Sequence, residues 1–262
     1  MKIKILSIIL TLFICITGVF ASEITCEYFD GIYHIVIPHD KKIEFVSKDK
    51  LTTNAEVHKE TNAVLTVNAG YFDPKNHKTI SFIYNDGILL ESPIENENLV
   101  FNDIIMDNWS KVSNRTEFRI TCQSDKIIYD IAPHNDIYKG KLIASAQAGP
   151  MLIPNLRLEE EFFILRNNDG KIIRQSASVL NKAARTLIGI KNNEVHLFVV
   201  TNKHPMDIYE ARDLCAKYGL EKAMAFDGGS STSLDYKDIH VTSIGLENDD
   251  TGRRLKSFLI VK

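Results

Sequence analysis

Short apolar runs bounded by turn-forming residues recur along this chain and predict a protein built mainly of strands. Ile32 to Ile37 and Ile43 to Val46 are strand candidates, with Pro38-His39-Asp40 as the turn between them. Ala63 to Val67 is a further run that empties into Asn68-Ala69-Gly70-Tyr71-Phe72-Asp73-Pro74. Ile80 to Tyr84 and Ile88 to Glu91 flank Asn85-Asp86-Gly87. That is hairpin chemistry, because Asp and Gly accept the positive φ of a tight two-residue turn. Phe118 to Cys122 and Lys126 to Tyr129 form another predicted pair, followed by Ala144 to Ile153, Arg185 to Ile190 and, at the end, Leu255 to Val261.

One segment carries helical spacing. Ile208, Ala211, Cys215 and Tyr218 fall on one face of a helix over Asp207 to Tyr218. Asp207 and Glu210 are spaced as a capping box, and Gly219 suits the C-terminal stop. Glu194 to Thr201 before this helix and Ala223 to Phe226 after it read as strands, so the three make a parallel crossover unit. Lys171 to Lys182 is polar and reads as a loop or short helix. Strands dominate without regular strand–helix alternation. The fold class expected is therefore α+β or mixed α/β, with a mixed central β-sheet structure and flanking helices in a single globular domain.

The N-terminus changes the picture at one end. Lys2 and Lys4 precede an apolar stretch from Ile5 to Phe20, and Val19-Phe20-Ala21 offers small residues where a signal peptidase cuts. Residues 1–21 read as a signal peptide and residues 22–262 as the working domain, secreted or periplasmic. The alternative is an uncleaved anchor, since the run is nearly long enough to span a bilayer. Cys15 has no small-residue lipobox before it, so no lipoprotein is expected. No other segment is apolar enough to cross a membrane. The net charge of −3 is dispersed, which argues against nucleic acid as the main partner. Beyond residue 21 the cysteines are Cys26, Cys122 and Cys215. An odd number allows at most one intrachain bridge; Cys26 with Cys122 is the candidate, and Cys215 belongs to the apolar helix face. No Cys or His spacing resembles a zinc site.

The chemistry concentrates in Asp227-Gly228-Gly229-Ser230-Ser231-Thr232, where a carboxylate stands at a strand end. Ligands of α/β sheets gather at such ends. Two glycines let the backbone turn sharply and approach a ligand. The N–H groups of such a turn can converge on an anion. The same residues also make ordinary turn chemistry, so a plain loop is the competing reading.

Four segments line up in order: Asn68 to Asp73 (NAGYFD), Gln147 to Ile153 (QAGPMLI), Arg185 to Ile190 (RTLIGI) and Asp227 to Thr232 (DGGSST). Their order and spacing resemble the phosphodiester glycosidase family, whose pattern runs Asn-Gly-Gly-Phe-Phe, Gln-x-Gly-Pro-x-Leu, Arg-Thr-x-x-Gly and Asp-Gly-Gly-Gly-Ser-Ser. Arg253 to Val261 resembles the family's closing arginine and strand. The resemblance covers roughly Leu65 to Val261. Two departures stand out: Ala69 replaces the first family glycine, and Ser230 stands where the family usually has glycine.

The resemblance implies an exported hydrolase that cleaves a sugar from a sugar-1-phosphodiester, releasing free sugar and a phosphomonoester. The glycan stays open between an exopolysaccharide, a teichoic-acid-like polymer and another capped glycan. On this reading Asp227 and Arg185 are the catalytic pair, with Arg185 as the first choice for phosphate because its planar fork matches phosphate oxygens. Asn68, Asp73, Gln147, Gly228, Gly229, Ser230, Ser231, Thr232 and Arg253 are the substrate-binding candidates. A carboxylate against a phosphate is repulsive, so Asp227 either faces the sugar carbon or shares a hard cation with it. No cofactor is required, but Asp73 and Asp227 are oxygen ligands of the kind that hold Ca²⁺ or Mg²⁺. Two rival readings remain: a non-catalytic carbohydrate- or anion-binding protein, and a metal-dependent phosphodiesterase that cuts P–O.

Overall fold

The computed structural model describes residues 22–176, 179–243 and 252–262. The expected signal segment, residues 1–21, lies outside the described residues. Among those described, no helix is long and apolar enough to cross a membrane. The chain is a single domain, and its described residues are 44% strand and 16% helix, so the sheet component is much heavier than the helical one.

Three antiparallel sheets surround one core. The six-stranded sheet has the order Thr25–Phe29, Ile32–Ile37, Glu194–Val200, Arg185–Lys191, Lys222–Ala225, Met151–Ile153. A five-stranded sheet runs Ile239–Thr242, Ser233–Tyr236, Leu65–Asn68, Leu255–Val261, Ile43–Thr52. The other five-stranded sheet runs Ile88–Glu91, Ile83–Asn85, Lys141–Gln147, Thr116–Gln123, Lys126–Pro133. All three contribute to the central core, through residues such as Leu197, Val67 and Phe118.

Strict alternation explains why the strongest strands read as unbroken apolar runs. Leu197 and Val199 face the central core, whereas Phe198 and Val200 face the opposite way, onto the helix Ile208–Lys217. A strand covered on both faces needs apolar residues at every position. Ile208, Ala211, Leu214 and Cys215 are the helix residues buried there. Asp207 caps this helix by accepting from the N–H groups of Tyr209 and Glu210, and Glu210 closes the capping box as expected.

The crossover expectation needs a correction. Glu194–Val200 and Lys222–Ala225 run parallel to each other, but Arg185–Lys191 lies between them and is antiparallel to both. Asn192 and Asn193, both at positive φ, make a tight hairpin that places Glu194–Val200 on one side of Arg185–Lys191. The chain returning from the helix takes the other side.

Three further differences have local causes. The run from Ala144 to Ile153 is two strands in different sheets, because Gly149 (φ 87°) turns the backbone and Pro150 has no N–H to continue a ladder. A Cβ on Gly149 would come within 2.2 Å of the Glu161 carboxylate, so only glycine fits. Lys171 to Lys182 is not simply a loop or helix: Ile172–Gln175 is a strand paired with Ile164–Arg166. Cys26 and Cys122 are free thiols on strands of two different sheets, so the candidate disulfide is not formed. The sequence also held a helix that was not anticipated, Asn54–Thr61, although Thr53 and Glu56 announce it with a complete capping box.

A buried histidine pair links two strands of the large sheet: His34 Nε2 lies 3.0 Å from His196 Nδ1. Burial, the neighbouring His34 and Lys191 pull the His196 pKa down to about 4. An unfolded histidine titrates near ~6.5. Between these values the unfolded chain binds more protons than the folded one, so this contribution is complete above about pH 6.5 and is lost as the pH falls toward 4. Denaturant unfolding of the wild type and His196→Asn across this range should show a shallower pH dependence in the variant. Groups away from the pair are common to both proteins and cancel, so the difference reports His196 together with its bonded partner His34. Equal slopes would remove His196 from the acid response.

Candidate active site

The site forms where the six-stranded sheet meets the sheet containing Leu65–Asn68. Lys222–Ala225 delivers Phe226 and Asp227 past its end. The Phe226 N–H donates to the Thr186 carbonyl at 2.8 Å and the Asp227 N–H donates to the Ala69 carbonyl at 2.9 Å. Ala69 tolerates the place of the family glycine because its φ is negative.

Asn68 ties these segments from below. Its amide N–H₂ donates to the Asp227 carbonyl, and its amide oxygen accepts from the Thr186 hydroxyl at 2.7 Å and the Ser233 N–H at 3.1 Å. The residue is 1% exposed and does not line the cavity above it. Its side chain braces Asp227 from behind, whereas the sequence placed it among the substrate contacts.

The cavity measures about 180 Å³. Typical small-molecule pockets hold ~300–1,000 Å³, so this one suits a compact polar group and not an extended chain. Asp227, Gly228, Gly229 and Ser230 line one side, Arg185 and Arg253 contribute cations, and Tyr71, Pro150, Phe163, Val179 and Ile208 form the less polar walls. Asp227, Arg185, Arg253 and the glycine turn, distant in sequence, therefore share one cavity. Pro150 is part of its wall.

Burial raises the Asp227 carboxyl pKa to about 6, against the opposing pull of the Ser231 hydroxyl, the Arg253 charge and the Gly228 N–H. Tyr71 donates to the Gly149 carbonyl at 2.8 Å. Burial, then the Asp227 charge, pushes its phenol above the ordinary range, so it stays a neutral donor.

The backbone cradle expected of the turn is largely engaged internally. The Gly229 N–H donates to Ala184, Ser231 to Gly228 and Thr232 to Gly229, and the Gly228 N–H serves Asp227 itself. The turn is a short 3₁₀ segment, Gly229–Ser231. It therefore fixes the carboxylate more than it opens an anion nest. Ser230 and Ser231 do something the sequence did not suggest: both hydroxyls accept from Arg253 Nη1, at 2.6 and 3.0 Å. Arg253 also lies 4.9 Å over the Phe72 ring. Thr232 is 1% exposed and lies behind the turn.

Arg185 also takes a different role. Its Nε donates to the Met206 carbonyl at 2.9 Å, and its Nη2 to Val179 and Asn181 at 3.2 and 2.7 Å. A fork committed to backbone carbonyls holds the cavity wall in place. Gln147, 1% exposed, joins the carbonyls of Ser113 and Arg115 and does not line the cavity. Asp73 accepts from the Lys75 N–H and the Asn98 amide, both at 2.8 Å, and is likewise outside the cavity lining. Asp73 and Asp227 thus do not form the paired carboxylates that a Ca²⁺ or Mg²⁺ site would need. Among the described residues, no group of three or more His, Cys, Asp or Glu side chains is arranged to hold a metal ion.

Sequence reasoning missed the supporting shell. Glu161 is fully buried and accepts from the Thr116 N–H, the Thr116 hydroxyl and the Met151 N–H, which braces the wall around Pro150. Arg115 stacks 4.3 Å over Phe163 and donates to the Glu161 carbonyl. Only Tyr71 had a signal, its place inside the NAGYFD segment.

A model of the phosphodiester glycosidase family matches residues 61–262. The chain belongs to this family. No curated protein matches the sequence. Among solved structures, the zebrafish N-acetylglucosamine-1-phosphodiester alpha-N-acetylglucosaminidase catalytic domain, auto-inhibited by its pro-peptide, is similar at a TM-score of 0.62 and 13% identity, covering 91% of this chain and 81% of that one. A hypothetical protein from Synechocystis is similar at 0.58 and 13%, covering 91% of this chain; this chain spans only 61% of that protein's length. A candidate exported protein from Burkholderia pseudomallei is similar at 0.62 and 11%, covering 88% and 73%. At these identities the likeness establishes a shared fold.

Asn68→Ala would leave the Asp227 carbonyl, Thr186 hydroxyl and Ser233 N–H without their buried partner. Each such group costs about 1–3 kcal/mol. The variant should lose at least about 2 kcal/mol of stability in denaturant unfolding. A loss under about 0.5 kcal/mol would mean that Asn68 does not hold the site together.

Proposed function

We propose that this phosphodiester glycosidase is an exported hydrolase that releases a sugar from a sugar-1-phosphodiester. The observation that carries the reading is Asp227 and Arg253 facing one small cavity, with the Ser231 hydroxyl bonded to both. A phosphate repels a carboxylate and binds a guanidinium. The substrate is therefore oriented with its phosphate on Arg253 and its anomeric carbon toward Asp227.

The chemistry follows from that orientation. The C–O bond to phosphate breaks, the oxygen keeps the electron pair, and water completes the sugar. The departing phosphomonoester has a second pKa near ~6, so it leaves without the strong acid that an alkoxide needs. Ordinary glycoside hydrolysis uses two carboxyl groups. Here Asp227 is the one carboxylate among the described lining residues. With a pKa of about 6 it is mostly ionised at neutral pH and acts at the anomeric carbon as nucleophile or base. The supporting cation is Arg253, with Tyr71 and Arg185 holding the walls.

Hydrolysis in ¹⁸O-labelled water tests the bond broken. Label should enter the sugar; label in the phosphate would replace this reading with a P–O phosphodiesterase. Asp227→Asn should lower kcat by roughly 10²–10⁴-fold. Arg253→Ala should weaken ground-state binding as well as rate, because its contact with phosphate exists in both states. The kcat/KM profile should rise with pH through a midpoint of about 6, as Asp227 loses its proton. A flat profile from pH 5 to 7.5 would take Asp227 out of the reaction.

Export rests on the basic-then-apolar start and is supported by the similarity to a candidate exported protein. Mature protein should begin near Ser22. Soluble cytoplasmic protein that retains Met1 would overturn this part.

A further inference from the structure

A second, larger groove shares one lining residue with the first cavity. It measures about 570 Å³, and Arg253 lines both spaces. Leu51 and Pro74 give it an apolar surface, with the largely buried Phe72 beneath, and Lys50 and Arg254 give it positive charge against the single carboxylate of Asp49. Arg254 is partly neutralised by Glu56 at 3.3 Å, whereas Lys50 is exposed and has no ion-pair partner among the described residues. Apart from Arg253, none of these groups is used by the hydrolytic step described above.

The order of groups fixes what can reach this groove. Asp227 faces the sugar carbon in the small cavity, and Arg253 marks the phosphate. Arg253 cannot swing freely, since Ser230 and Ser231 hold its Nη1 and Phe72 lies beneath its plane. A phosphodiester anchored on it has its second ester arm directed away from Asp227, into the larger groove. We infer that this groove is the leaving-group subsite, selecting an alcohol that carries a ring or other apolar face and an additional negative charge. The inference rests on the orientation proposed for the catalytic cavity, and it adds the chemical class of the substrate's other half.

The consequence is that affinity for the released phosphomonoester depends on its alcohol. Leu51 and Pro74 cover an apolar face from one side, and partial burial of a phenyl ring on such a surface is worth about a factor of ten in affinity. An exposed lysine adds a smaller, salt-sensitive preference for an anionic substituent.

Calorimetric titration of the full chain with methyl phosphate, phenyl phosphate and 4-carboxyphenyl phosphate tests this without turnover. Phenyl phosphate should bind at least about tenfold more tightly than methyl phosphate. Lys50→Glu should weaken 4-carboxyphenyl phosphate about threefold to fivefold relative to phenyl phosphate, and Lys50→Gln should show a smaller loss in the same direction. Equal affinity for methyl and phenyl phosphate would overturn the apolar selection. An unchanged ratio of the two aryl phosphates in Lys50→Glu would overturn the charge selection. These are product-binding measurements, so they succeed or fail independently of whether label from water enters sugar or phosphate.

Discussion

The buried amide of Asn68 joins three segments that come from different parts of the chain: the Asp227 carbonyl, the Thr186 hydroxyl and the Ser233 N–H. Asn is well suited to this, because one planar group supplies donors on one side and an acceptor with two lone pairs on the other. The bonds lie in a region shielded from water, where an unmade bond is expensive. They therefore set the distance between two sheets. Without that spacing the strand end carrying Asp227, on the six-stranded sheet, would not meet Arg253, which precedes Leu255–Val261 of the other sheet.

The same principle recurs around the cavity. Arg185 holds three backbone carbonyls, Glu161 takes two backbone N–H groups and a hydroxyl, and Tyr71 donates to the Gly149 carbonyl. Each is a polar or charged side chain within the protein that holds main chain at strand ends or in irregular segments between strands. Loops without ladder partners need such substitutes, since their backbone groups must be satisfied somehow. Polar residues that a motif search would assign to substrate are, in this protein, largely engaged in keeping the cavity's shape.

What remains for chemistry is a small set. Asp227 sits in surroundings that disfavour its charge, yet Ser231, Gly228 and Arg253 favour it, and the balance leaves the carboxyl titrating near neutrality, at about 6. A group so poised is a candidate for proton handling or nucleophilic attack. Arg253 is fixed by two hydroxyls and an aromatic face, at the boundary between a tight cavity and a broad groove. Ser230, which departs from the family's usual glycine, contributes one of those hydroxyls.

The sequence by itself determined the strands, the principal helix and the segments that build the site. Apolar runs such as Glu194 to Thr201 and Leu255 to Val261, the Asp207–Glu210 capping box and the turn at Asp86-Gly87 act over a few neighbouring residues. Their physics is therefore readable in order along the chain. Tertiary structure alone decided that Arg185–Lys191 lies between two parallel strands, that Ala144 to Ile153 divides between sheets, and that Cys26 and Cys122 stand apart. It also decided roles. Asn68, Gln147, Asp73 and Arg185 carry side chains equally able to bind substrate or backbone. Which of these each binds depends on the partners that folding brings within about 3 Å. Those partners are up to 165 residues away, as with Asn68 and Ser233. Motif spacing marked the neighbourhood of the site, and packing assigned the work within it.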